Sequence, residues 1–391
     1  MAWVLAFVAL AIAVAGCGQP ADSRSASSAS AGAGGSGGSG GGSIASAGTG
    51  GGISCASGLG DCDHDASNGC EVTLAGSDKH HCGACGHDCL GGNCDGGKCL
   101  PVVLAAYLNS QGPIYRPRQL ALSATHVYWA NEGSGVWRVV KGGGMAEQLS
   151  TIGAAGGGVA VDAGFFYRGL NDTILRTPLA GGPSQEVKGA KPKGTPLLLD
   201  GTTLYYLALA GLERIDSGGG EPVVLAQPKP STGPGMLAPL AFDGGYVYFL
   251  DATHVSRAPT AAPGATKVMG DGKQPSALFA HGGTLYWADW DGATATLYAS
   301  TGAGSTKLGT HPAQIFSIVA DEGRVYFGDV DAHIGTVTTA GTGLAVLYTG
   351  DTSGTRPALA IDDKAIYWSI EEGPSKNITV FQYGELKKLA K

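Results

Sequence analysis

From Leu100 onward one short pattern recurs seven times, a hydrophobic residue followed by two aromatics. The copies are Val127-Tyr128-Trp129, Phe165-Phe166-Tyr167, Leu204-Tyr205-Tyr206, Val247-Tyr248-Phe249, Leu285-Tyr286-Trp287, Val325-Tyr326-Phe327 and Ile366-Tyr367-Trp368. Their central aromatics are spaced by 38, 39, 43, 38, 40 and 41 residues. A period near 40 residues made of short strand-like runs predicts one four-stranded blade per unit. Seven units predict an all-β chain whose main domain, 100–391, is a seven-bladed β-propeller.

Each unit repeats the same internal grammar. An apolar run about five residues before the triplet ends in Asp162, Asp200, Asp243, Asp321 or Asp362, and in Ser123 or His281 in the other two units. Asp at a strand end suits a tight turn whose carboxylate accepts backbone N–H groups, so these residues are read as structural. A third strand follows the triplet, as in Val136-Trp137-Arg138-Val139, and a glycine turn leads to a fourth, as in Pro222-Val223-Val224-Leu225-Ala226. Ring closure has two solutions, because Val102-Val103-Leu104-Ala105 and Leu386-Lys387-Lys388-Leu389 both look like outermost strands. The N-terminal strand either fastens the last blade or lies outside it as a fifth strand; the first is preferred. Most of the 67 glycines then act as turn residues, including Gly142-Gly143-Gly144 and Gly218-Gly219-Gly220.

The segment before the repeats has three parts. Ala2 to Ala15 is an apolar run too short to span a bilayer, and it suits the core of a signal peptide over 1–16. Residues 17–54 are Gly, Ser and Ala with little to bury, which predicts a disordered tether. Residues 55–99 hold Cys55, Cys62, Cys70, Cys82, Cys85, Cys89, Cys94 and Cys99, a density that predicts a small module held by four disulfides. Eight cysteines allow 105 pairings, and spacing does not choose among them. Cys82, Cys85 and Cys89 with His80, His81 and His87 also form a possible zinc-ligand set, which an oxidising compartment disfavours.

Val14-Ala15-Gly16-Cys17 resembles the lipobox of bacterial lipoproteins. That resemblance implies acylation at Cys17 and, with Gly18 rather than Asp following, sorting to the outer membrane or cell surface. No Lys or Arg precedes the apolar run, which departs from the usual pattern. Asp61-Cys62-Asp63, Asn68-Gly69-Cys70-Glu71 and His81-Cys82-Gly83-Ala84-Cys85-Gly86 resemble Cys-rich modules of myxobacterial surface proteins. Tyr286-Trp287-Ala288-Asp289, with Trp129 and Trp368 at matching positions, resembles YWTD propellers and the related bacterial TolB-like propellers. A shared propeller carries no shared ligand.

Net charge is −7, with 25 basic against 32 acidic residues, so neither nucleic acid nor an anionic lipid surface is an expected partner. Membrane contact is expected only through the anchor, and the chain is expected to be a monomer. In a propeller the loops between second and third strands share a face with the loops joining blades. The first set carries Glu132, Asp172, Asp251, Asp289, Asp291, Asp329, Asp331, Glu371 and Glu372. The second carries Arg116, Arg118, Lys191, Lys193, Lys229, Lys273, His311 and Arg356, so mutual neutralisation is the plain expectation. The functional expectation is a recognition surface for a protein or glycan, with Trp290 at a loop tip between Asp289 and Asp291.

Ca²⁺ is considered at two places: the alternating Asp61, Asp63 and Asp65 of the Cys-rich module, and Asp289, Asp291, Asp329 and Asp331 on the propeller face. Outside the Gly/Ser tether no H-E-x-x-H, G-x-S-x-G or phosphate-binding loop is present, and no catalytic residue is assigned. His126, His254, His281, His311 and His333 fall in separate loops or turns. The preferred function is a surface binding module. The alternatives are an extracellular hydrolase or lyase acting on polysaccharide or peptide through paired carboxylates, and a structural component of the envelope.

Overall fold

The structure, a computed structural model, describes residues 53–107, 117–131, 135–152, 157–193, 196–229, 239–350, 356–372 and 383–391. Each aromatic triplet lies in the second strand of a four-stranded antiparallel sheet, and seven such sheets form the propeller. Blade 1 is Leu120–Leu122, His126–Asn131, Gly135–Val140 and Glu147–Ser150. Blades 2 to 6 follow in the same sequential order, up to Ala345–Thr349.

The seventh blade is built from both ends of the domain. Its first three strands are Leu359–Ile361, Ala365–Glu372 and Tyr383–Ala390, and its outermost strand is Val102–Tyr107. Gly384 pairs with Tyr107 and Lys388 with Val102. The N-terminal strand therefore fastens the ring, and Leu386 to Leu389 belong to the third strand rather than to an outermost one.

The triplets alternate across the sheets because successive strand residues face opposite sides. Blades lie face to face, so both sides are buried. Tyr367 of blade 7 packs with Trp129 of blade 1, Tyr286 of blade 5 with Phe327 of blade 6, and Tyr326 of blade 6 with Trp368 of blade 7. Trp129, Trp287 and Trp368 are fully buried.

This alternation corrects the register in blade 2. Tyr167, not Phe166, matches the central tyrosines, since its hydroxyl donates to Asp162 Oδ2 at 2.7 Å just as Tyr367 donates to Asp362 Oδ2 at 2.9 Å. The third position of that triplet is Arg168, only 2% exposed, where the other blades hold an aromatic. Its guanidinium donates to the carbonyls of Ile152 and Asn131, at 2.7 and 2.8 Å, joining blade 2 to blade 1.

Three of the five turn aspartates have the structural role expected of them. Asp162, Asp321 and Asp362 each accept two backbone N–H groups from the turn that follows, and Ser123 Oγ does the same in blade 1. Asp243 instead accepts the Gly283 N–H of the next blade at 2.6 Å.

The Cys-rich segment forms four disulfides, Cys55–Cys70, Cys62–Cys85, Cys82–Cys94 and Cys89–Cys99. They replace the apolar core that so short a segment lacks. The module rests against the closing blade. Lys388 Nζ, from a side chain only 5% exposed, donates to Leu90 O of the module at 2.7 Å and to Lys141 O of blade 1 at 2.9 Å.

Candidate functional site

The innermost strands are short and apolar, so arranged around the axis they line it with hydrocarbon. The result is a cavity of about 440 Å³ bordered by six blades, with Leu122, Leu198, Phe242, Phe279, Phe316 and Ile361 among its walls. Arg118, Gln119 and Ser317 supply its polar groups, and among the described residues no carboxylate lines it. Gln119 is occupied in holding the wall together: its Oε1 accepts the N–H of Val159 and Leu197, and its amide donates to Leu197 O. The Arg356 guanidinium stacks on Phe316, 4.9 Å from the ring centroid.

On the face shared by the second-to-third-strand loops and the blade-joining loops, the carboxylates are held mainly by backbone N–H groups and histidines. Asp251 Oδ1 accepts Lys229 N–H at 2.7 Å, and Asp289 Oδ1 accepts Gln274 N–H at 2.7 Å. Asp291 Oδ1 accepts the N–H groups of Ala293 and Thr294, which hold its carboxyl below the usual range. At Asp251, Asp289 and Asp291 local capping by backbone N–H groups is the main contact, and the charge of Lys273 from a joining loop adds to it at Asp291. The physical reason is proximity, since the second strand ends beside the joining loop and its terminal Asp reaches that backbone first. Trp290 also departs from expectation. It ends the strand Thr284–Trp290, is only partly exposed, and packs against the cluster around Ile315 and Phe327, so it is not a loop tip.

Two histidines expected in separate loops come together at the joint of blades 5 and 6. His311 ends the outer strand Ser305–His311 of blade 5, and His333 begins the third strand His333–Thr338 of blade 6. Both point at Asp329, which ends the second strand Arg324–Asp329 and is fully buried. His311 Nε2 lies 2.5 Å and His333 Nδ1 2.9 Å from the same oxygen, Asp329 Oδ2. The other oxygen, Oδ1, accepts the N–H groups of Asp331 and His333, each at 2.9 Å. Burial pushes the Asp329 carboxyl up. The His311 bond, the His333 N–H and ring bonds and the charge of His333 outweigh burial and hold the carboxyl below the ordinary range. His311 also packs edge-on against Phe327, at 5.0 Å between ring centroids.

Asp331 follows this cluster and contributes its N–H to it. Among the described residues, no group of close ligand atoms joins Asp289 and Asp291 to Asp329 and Asp331. The signal that could have found the cluster is positional, since the end of one blade's outer strand lies beside the end of the next blade's second strand.

In the Cys-rich module Asp61, Asp63 and Glu71 present carboxylate oxygens within 4.8 Å of one another, whereas Asp65 lies outside that group. Asp65 Oδ1 instead accepts Ser67 N–H, Asp63 accepts Asp65 N–H and the Asn68 amide, and Glu71 accepts Cys62 N–H. With all eight cysteines paired, no thiolate remains for zinc. The signal-peptide segment, Cys17, the tether up to residue 52, Arg116 and Glu132 lie outside the described residues, as do the side chains of Glu371 and Glu372.

No family model matches the chain, and a search of curated proteins finds no relative in sequence. Among solved structures, YCF48 bound to a D1 peptide is similar with a TM-score of 0.53 at 10% identity, covering 73% of this chain and 94% of that one. The computationally designed Ika8 protein is similar with a TM-score of 0.49 at 14% identity, covering 73% of this chain and 98% of that one. BamB from Moraxella catarrhalis is similar with a TM-score of 0.47 at 10% identity, covering 74% and 100%. The likeness to YCF48 supports the propeller fold.

Proposed function

We propose that this chain is an exported surface protein, acylated at Cys17 and held off the membrane by residues 17–54, whose propeller docks an apolar segment of a protein partner at its axis. The observation that carries the reading is the axial cavity. Its hydrocarbon walls from six blades and its size, about 440 Å³, suit one or a few large apolar side chains. A glycan needs many hydrogen-bonding groups, and the described walls offer few. A hydrolase or lyase needs convergent acid and base groups, which those walls also lack. Four disulfides fit an oxidising compartment outside the cytosol, and among the described residues no helix is long and apolar enough to cross a membrane. The D1 peptide on YCF48 is an instance of a propeller holding a peptide.

The test uses the full chain as bait for envelope proteins, with Phe316→Ser and Leu198→Ser as comparators and near-ultraviolet circular dichroism to check folding. Loss of the same captured protein in both folded variants is the expected result. Capture that is unchanged in both, or retention of a glycan instead, overturns the axial docking site.

A further inference from the structure

We infer that His311, Asp329 and His333 form a binding site for a divalent transition metal, Zn²⁺ by preference, with one coordination position open to water or to a donor group of a partner. Two imidazole nitrogens from different blades converge on a single carboxylate oxygen, and the three donor atoms lie within 4.8 Å of one another. The carboxylate is arranged as a one-oxygen ligand. Oδ1 is fixed by two backbone N–H groups, which leaves Oδ2 to face the histidines. Such outer hydrogen bonds orient ligands and strengthen metal sites.

The donor chemistry selects the ion. Two imidazoles and one carboxylate suit Zn²⁺ and its first-row neighbours, while Ca²⁺ and Mg²⁺ require oxygen ligands in larger number. With metal–ligand bonds of about 2.0–2.1 Å, tetrahedral donors stand roughly 3.3 Å apart. The present 2.5 and 2.9 Å separations therefore open by a few tenths of an ångström to about one. His333, with its side chain 28% exposed, provides the smaller of these movements, and the larger one falls to a shift of the His311 ring, 7% exposed, away from the fixed Asp329 carboxylate. The exposed side also leaves the fourth position reachable.

The corresponding strand ends within blade 4 show the arrangement without convergence. There His254 Nδ1 meets Asp271 Oδ1 at 2.6 Å, with the two side chains 47% and 82% exposed. Asp271 and His311 hold the same position, at the end of an outer strand opposite the start of a third strand. Blade 5 places an imidazole where blade 4 has a carboxylate. Blade 6 supplies a buried acceptor with a second imidazole.

The test strips the full chain with chelator and titrates it with Zn²⁺ by calorimetry and with Co²⁺ by visible absorption. Wild-type protein is expected to bind about one ion per chain at the histidine site, and His333→Ala or His311→Gln to lower affinity by at least about 10–100-fold. His254→Ala is expected to bind as wild type does. Absence of Zn²⁺ binding at about 100 μM free metal, well above the affinities of built protein sites, overturns the site. So does affinity unchanged in His333→Ala, or binding lost in His81→Ala of the disulfide module. If His311→Gln fails to fold, His333→Ala decides, because its side chain is partly solvent-exposed.

Discussion

Asp362 and Asp162 offer a matched pair for measuring what the seam between blades 7 and 1 contributes. Both carboxylates accept two turn N–H groups and a tyrosine hydroxyl. Asp362 alone also binds Lys141 Nζ, at 2.7 Å, across the seam. The two side chains of that ion pair are 18% and 21% exposed, and the ammonium lies 5.4 Å from the Tyr367 ring centroid. An exposed ion pair is worth at most about 1 kcal/mol, and a hydrogen bond to a charged group about 1.5–3 kcal/mol. This half-buried pair falls between them, so Asp362→Asn is expected to cost roughly 1–2 kcal/mol more than Asp162→Asn.

Urea unfolding followed by tryptophan fluorescence at pH 7 measures both, and Lys141→Met completes a double-mutant cycle. Burial pushes the Asp362 carboxyl up, but Lys141, the N–H groups of Lys364 and Ala365 and the Tyr367 hydroxyl outweigh it and hold it low. A depressed carboxyl stabilises the fold above its unfolded pKa, near 4, and loses that contribution as pH falls through the folded value. The advantage of wild type over Asp362→Asn should therefore be flat from pH 5 to 8 and shrink in stronger acid. Equal costs for the two Asn variants, or a cycle coupling below about 0.3 kcal/mol, would refute the reasoning.

Two further outcomes follow from packing and cross-links. Gly335→Ala would put a Cβ 2.2 Å from the Phe327 ring and should destabilise by about 1–3 kcal/mol, whereas Gly142→Ala, with nothing within 4 Å, should change stability by less than about 0.5 kcal/mol; comparable unfolding midpoints would contradict the contact. Replacing Cys89 and Cys99 together by Ser should speed hydrogen exchange in Val102–Tyr107 and leave Thr284–Trp290 unchanged, because Leu90 of the same module caps Lys388 beside the closing strand; equal protection in that strand would count against the clamp.

The repeat was legible because it rests on local chemistry: burial of alternating aromatics and Asp turns, each readable within a few residues. Blade 2 slipped by one place because Phe165 made an aromatic run that hid the arginine at the third position. The closing blade was misread at Leu386 to Leu389 for a different reason. Residues 373–382 lengthen the connection between its second and third strands, so the third strand falls where a fourth is expected. The His311, Asp329 and His333 cluster was less legible still. Its members are unremarkable within their own units, and only the meeting of two blades gives them a common oxygen. Trp290 misled in the opposite sense, since its acidic neighbours suggested a loop while it ends a strand and packs, partly buried, against the core.

The pairing of Val102–Tyr107 with Tyr383–Ala390 also sets an order of events during synthesis. The first strand of the ring emerges roughly 280 residues before its partner, which at about 5–20 residues per second is a wait of roughly 15–55 s. Throughout that interval its amides have no partner and the growing stack of blades has an open end. The cysteine module meets no such delay, because every one of its cross-links joins residues at most 23 apart. Once it has reached the oxidising compartment that its disulfides need, it can close beside the waiting strand without any contribution from the last blade.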